Sequence, residues 1–268
     1  LTLVLVILAA AVFATGRAGA ETSALTISDS QALAAGHRLW KNECGGTVSG
    51  LTSWNEGEDF ASLGIGHYIW YPAGERGPFE ESFPDLLGFL ADNHVALPPW
   101  LHPGEACPWK SRADFERAQN SPQVKQLRDL LAGTVALQAR FSADRLQASL
   151  PKMLATVPPD VAERVRRQFF RVAASPNGIY ALLDYVNFKG EGVLPTERYA
   201  GHGWGLLQVL AGMPDTAAEG PGSLATREFA ISASRTLAQR VALSPPERHE
   251  SRWLPGWQSR VATYADEH

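Results

Sequence analysis

The sequence predicts an α+β domain, predominantly helical, with a small N-terminal antiparallel β-hairpin or sheet and an extra helical insertion. Two observations carry this expectation. Residues 50–71 look extended on both sides of an acidic turn, Glu56-Gly57-Glu58-Asp59. From about residue 82 to the end, apolar residues recur at helical spacing between Pro and Gly breaks.

Taken in order, Leu1 to Phe13 is an apolar run too short for a comfortable membrane span, followed by the small-x-small triplet Ala18-Gly19-Ala20. Residues 1–20 therefore read as an export signal, with an uncleaved anchor as the rival. The expected destination is periplasmic or secreted, with no stable membrane span after signal removal. Residues 21–268 then form one domain, within which 78–176 is the helical insertion. Ser28 is a good N-cap for a helix running to Asn42 or Glu43, and Gly45-Gly46 stops it. Leu33, Gly36, Leu39, Trp40 and Glu43 recur at helical spacing, so Glu43 continues an apolar stripe. Leu51 to Asn55 leads into the acidic turn, and Phe60 to Trp70 returns as a strand. The later helices are expected at 82–93, 111–119, 122–140, 142–156, 159–174, 177–188, 204–212, 223–243 and 255–266. Ser111 with Asp114 suggests a capping box, and Ser121-Pro122 places Pro at a first helical position. The Pro-rich stretch 97–109 and the segments 189–203 and 213–222 read as irregular connections.

The 268 residues suffice for one large domain, and their net charge of −4 becomes one unit more negative if Arg17 leaves with the signal. That balance argues against a nucleic-acid partner. Cys44 and Cys107 are the only cysteines. In an oxidising compartment they read either as one disulfide or as two free buried thiols. No Cys/His cluster has ligand spacing, so neither a metal nor any other cofactor is expected.

Glu43 is the residue that points most directly to chemistry. A glycosidase needs one carboxyl group that holds a proton and a second group that activates water or stabilises positive charge. The negative end of its own helix, with Leu39 and Trp40 beside it, disfavours the charged form of Glu43. The plain alternative is a structural Glu at a helix end. Glu56, Glu58 and Asp59 are candidates for the second carboxylate. Strand alternation places Ser62, Gly64 and Gly66 on one face, with Ser62 able to hold a water and His67 on the other face as hairpin support. Trp54, Tyr68, Trp70 and Tyr71 are candidate sugar-stacking residues, against the alternative that they are core. Gly201 to Gln208 (G-H-G-W-G-L-L-Q) is a Gly-rich entry into a helix on the far side of the cleft. It does not read as a phosphate-binding loop, since there is no strand-GxxxxGK[ST]-helix context. A Ser-His-Asp hydrolase is not indicated, because there is no nucleophile elbow.

The run 56–67, E-G-E-D-F-A-S-L-G-I-G-H, resembles the hairpin of phage-type lysozymes, the muramidases of the lysozyme-like superfamily. In that family a Glu ends the first helix, an Asp follows in the hairpin, and Thr-x-Gly-x-Gly-His comes next. Aligned on G-I-G-H, Glu56 falls on the family's Asp, Ser62 on its Thr and Glu43 on its catalytic Glu. The segment 181–190 resembles the family's central core helix. The segment 252–260 resembles its C-terminal part, where an Arg begins the last helix. The resemblance implies cleavage of peptidoglycan or a related amino-sugar polymer, with Glu43 as general acid, Glu56 as base or electrostatic partner, and Ser62 positioning water. The separation of Glu43 from Glu56 is longer than the family's, which leaves Asp59 as an alternative. Two other readings are a lytic transglycosylase, which works with a single Glu, and a non-catalytic glycan-binding or scaffold member of the superfamily.

Overall fold

The computed structural model describes residues 25–77, 79–215 and 222–266. The proposed signal, 1–20, lies outside the described residues. The first helix, α1 (Asp29–Cys44), begins as its sequence dictates. The Ser28 hydroxyl accepts from the Gln31 amide at 3.2 Å, and the Gln31 side chain accepts from the Ser28 amide at 3.0 Å. That capping box satisfies two of the amides a helix start leaves open. Gly45, in the left-handed region at φ +62°, ends the helix. Ala32, Ala35, Gly36 and Leu39 form the buried stripe, and Glu43 continues it. Leu33, expected on that stripe, is exposed.

A three-stranded antiparallel sheet follows, in the order β1 (Thr52–Ser53), β2 (Ala61–Leu63), β3 (Tyr68–Trp70). Ser62 pairs with Ser53 on one side and Ile69 on the other. The single strand expected over Phe60–Trp70 is therefore broken, and Gly64-Ile65-Gly66-His67 is the turn between β2 and β3. Gly64 (φ +69°) and His67 (φ +48°) are both left-handed, which extended backbone does not allow. The proposed common face of Ser62, Gly64 and Gly66 disappears with the strand.

Close packing explains the glycines. A Cβ on Gly64 would lie 2.4 Å from the Gln138 side-chain oxygen, and one on Gly66 would lie 2.7 Å from the Tyr68 ring. Gln138 is wholly buried. Its oxygen accepts from the Ile65 amide at 3.0 Å, and its nitrogen donates to the Leu131 carbonyl and the Thr134 hydroxyl at 2.6 and 3.0 Å. Tyr68 donates to the Gln138 carbonyl at 2.8 Å. A buried network with its partners met holds the turn in one position.

The remaining helices are α2 (Phe83–Asp92), α3 (Arg112–Arg117), α4 (Pro122–Gly133), α5 (Val135–Leu154), α6 (Pro159–Ala173), α7 (Gly178–Lys189), α8 (Leu206–Ala211), α9 (Gly222–Leu243) and α10 (Leu254–Ala262). The break expected near residue 141 falls instead at Thr134, whose backbone leaves the helical region while its hydroxyl donates to the Leu130 carbonyl. The segment read as an insertion supplies α2 to α6. Its helix α5 packs directly on α1 and shares one hydrophobic core with the sheet and α7. Residues 178–185 of α7 are all buried, so this helix runs through the centre of the molecule.

A second hairpin, β4 (Arg198–Tyr199) with β5 (His202–Gly203), occupies a region read as irregular. Its two turn residues, Ala200 and Gly201, both have positive φ. That is the twist a two-residue hairpin needs, but Ala is an unusual choice for the first position, and no alternation of apolar residues announces the strands. No helix among the described residues is long and apolar enough to cross a membrane.

The cysteines are two free buried thiols and not a Cys44–Cys107 disulfide, which decides between the two readings. The Cys44 thiol faces the Gly64 carbonyl at 3.5 Å, before β3, whereas the Cys107 amide donates to the Tyr71 carbonyl, after β3. A strand advances about 3.3 Å per residue, so the length of β3 keeps the pair beyond disulfide reach.

Candidate active site

Glu43 stands in the last turn of α1 with its side chain 13% exposed. Three separate elements meet at its carboxylate. His67, from the turn between β2 and β3, brings Nδ1 to 3.6 Å of Oε2. Arg260, from α10, donates from Nη2 to Oε1. Behind Arg260 lies Asp184 of α7, which is fully buried.

Asp184 is the anchor of the arrangement. It accepts from Arg260 Nε at 2.9 Å and Arg260 Nη2 at 2.8 Å, a bidentate pair. It also accepts from the Tyr264 hydroxyl at 2.6 Å and the Asn42 amide at 2.9 Å. Four donors match the acceptor capacity of one carboxylate. The same Asn42 nitrogen lies 2.8 Å from the Tyr180 hydroxyl. Burial alone would make the Arg260 guanidinium easier to deprotonate, but hydrogen bonds and charge from Asp184, and then from Glu43, outweigh it and hold the group well above its ordinary range. The Phe188 ring lies under the guanidinium, 4.3 Å from its central carbon. Arg260 is thus a fixed cation whose Nη2 also donates to Glu43.

The other sequence-derived site residues fare unevenly. His67 does more than support the hairpin: the left-handed turn carries it to Glu43, which a continuous strand would not have done. Ser62 is buried in the middle strand, and its carbonyl accepts from the Ser53 hydroxyl at 3.1 Å. Glu56, Glu58 and Asp59 occupy the loop between β1 and β2, at the end of β2 opposite to His67. Glu58 accepts from the Asn55 amide at 3.0 Å, and Glu58 and Asp59 both raise the Tyr71 phenol, though less than its burial does. Glu56 is exposed and carries no such tie.

Trp54, Tyr68 and Trp70, proposed as sugar-stacking residues, are core, and so is Tyr71. The polar end of each is bonded inside the protein. Trp54 donates to the Glu58 carbonyl at 2.7 Å and Trp70 to the Glu105 carbonyl at 2.8 Å. Trp70 packs on Phe83 and Trp109. A β-branched or aromatic residue in a short strand reads the same from sequence whether its face meets a ligand or the interior.

Next to Arg260 lies a second basic cluster. The Lys189 ammonium sits 3.4 Å from the centre of the Trp257 ring and 3.9 Å from that of Phe188. Burial, together with Arg240 and Arg260 and against the pull of Glu250, pushes this group down to about 7. The unfolded chain keeps that proton to about 10.5, so it binds more protons than the fold above neutrality, and stability rises with pH. One such group contributes at most about 1.4 kcal/mol per pH unit. The rise is cleanest below pH ~9. Above that, the Cys44 and Cys107 thiols, pushed up to about 12 by burial, act in the opposite sense. Lys189→Met is expected to flatten the increase in unfolding midpoint between pH ~7 and ~9. A slope equal to that of the unmodified chain would exclude Lys189 as its source.

Two concavities, of about 370 and 290 Å³, are lined by residues that do not include Glu43. Chemically, the arrangement presents one carboxyl group that is partly exposed, held by a fixed cation and faced by an imidazole. Such a group can exchange a proton with a bound ligand while its position is maintained. Comparison of the chain with protein-family models, with curated proteins and with solved structures gave no match.

Sequence reading alone did not single out Asp184 or Arg260. Both lie in the two distal segments noted for their resemblance, and a buried Asp in an otherwise apolar helix is the signal that marks the first of them.

Proposed function

We propose that this chain is an exported, lysozyme-like glycoside hydrolase that cleaves the glycan strands of peptidoglycan by general acid catalysis. The observation that carries the reading is the convergence on Glu43 of His67 and Arg260, from opposite ends of the chain, around the buried Asp184. The order of helix-end Glu, hairpin with G-I-G-H, buried central helix and basic final helix supports it further. In this reading Glu43 protonates the glycosidic oxygen. Arg260 and His67 hold its carboxylate in place and stabilise it once the proton has left. Glu56, with Glu58 and Asp59 as alternatives, is the candidate for activating water on the opposite face of the sugar.

A second reading, a lytic transglycosylase, gains from the position of Glu56, Glu58 and Asp59 in the β1–β2 loop, at the end of β2 opposite to His67. A single-Glu mechanism needs none of them. Mass spectrometry of soluble products from purified sacculi tests both. Muropeptides with a free reducing end are expected for hydrolysis, whereas 1,6-anhydro ends assign the transglycosylase. Binding to sacculi with no soluble product across several pH values would exclude both.

A further inference from the structure

The Gly-rich stretch 201–208 plays no part in the Glu43 site, and it forms one wall of the larger concavity, about 370 Å³. β4 and β5 supply Arg198 and His202, while α9 supplies Ser232, Arg235, Thr236 and Gln239. Arg235, Thr236 and Gln239 stand three, four and seven positions after Ser232, so the four share one helix face. None of the residues lining the concavity is acidic, although the chain as a whole has a net charge of −4.

The basic groups are available. Arg235 forms no ion pair or hydrogen bond among the described residues, and Arg198 makes only one bond, from Nη2 to the Gly192 carbonyl at 3.3 Å. His202 Nδ1 lies 3.0 Å from the Ala200 carbonyl, so this nitrogen carries the proton and Nε2 is left for a ligand. Gln208 is committed elsewhere: its oxygen accepts from Gly205 and its nitrogen donates to Gly192, both at 3.0 Å. Gly203 lets the hairpin close over it, since a Cβ there would meet the Gln208 side chain at 2.7 Å. Arg198 on the hairpin and Arg235 on α9 thus line one space.

We infer that this concavity binds a phosphoryl group carried on a small polar body. A carboxylate saturates one guanidinium fork, whereas a phosphoryl group has the terminal oxygens to engage two from different directions. The volume exceeds that of a lone ion by on the order of ten waters, which leaves room for the carrier. Thr236 and Gln239 add a hydroxyl and an amide to the lining, which suit a polyol or sugar. Binding here is independent of the reaction assigned to Glu43.

Titration calorimetry on the full chain at low salt tests this, with glycerol 3-phosphate, inorganic phosphate and glycerol as soluble probes. Vesicles of phosphatidylglycerol in phosphatidylcholine separate a lipid headgroup from a soluble ester. Saturable binding of glycerol 3-phosphate, absent for glycerol, is expected to weaken at least tenfold in Arg198→Ala and in Arg235→Ala. It is expected to be unchanged in Arg166→Ala, a surface control on α6. Vesicle binding lost in the same two variants assigns the headgroup as the source and supports the same chemistry. No saturable binding of any phosphoryl probe, or binding that survives both substitutions in chains of unchanged circular dichroism, overturns the inference.

Discussion

Glu43→Gln is expected to lower the release of soluble products from sacculi by roughly 10²–10⁴-fold, the range for removing a general acid. The fold should persist, because the substitution keeps the shape and an oxygen that accepts from Arg260. Arg260 itself stays neutralised by the bidentate pair with Asp184. The unfolding midpoint should therefore move by no more than a few degrees, on a scale where 1 kcal/mol is worth about 2–4 °C for a domain of this size. Product release and thermal unfolding, measured on one preparation, separate loss of chemistry from loss of structure. Release at the unmodified rate would falsify the assignment of Glu43. A parallel collapse of the midpoint would make Glu43 a structural residue instead.

Arg260→Ala is expected to produce the largest loss of stability of any single change near the site. It removes the cation from a carboxylate that has no exposure to water. Breaking a buried pair from one side costs about 3–5 kcal/mol, because the remaining charge stays desolvated. Tyr264 and Asn42 still donate to Asp184, which tempers the loss. Denaturant unfolding reads the effect as a lower midpoint at unchanged slope. The double substitution Arg260→Met with Asp184→Leu should recover much of that loss, since it leaves neither charge buried. If Arg260→Ala alone changes the midpoint by less than about 1 kcal/mol, Asp184 is not held as described.

How much of this was legible in the residues themselves varies by element. The first helix was readable because its signals are local: Ser28 with Gln31 at one end, Gly45 at the other, and a stripe of small apolar residues between. Most later helices were readable for the same reason. The turn at Gly64–His67 was not, since strand alternation and a turn between two short strands look alike over seven residues. What distinguishes them is Gln138, 73 positions from Ile65, filling the space a Gly64 side chain would need. The β4–β5 hairpin was missed because its strands are two residues long and unpatterned.

The site divides along the same line. Composition, periodicity and the order of short motifs determined that the chain is mostly helical, that Glu43 closes a helix in line with its buried face, and that a Gly-rich hairpin follows. Those are properties of neighbours in sequence, and local backbone preference is enough to impose them. Only the tertiary structure decided that His67 faces Glu43, that Arg260 reaches it across the whole chain, that Asp184 anchors Arg260, and that the strand aromatics and the two thiols belong to the core. These depend on which surfaces are desolvated together. Burial turns a lone Asp into a partner that requires Arg260, and removes Trp54, Tyr68 and Trp70 from any ligand, through packing that no local window contains.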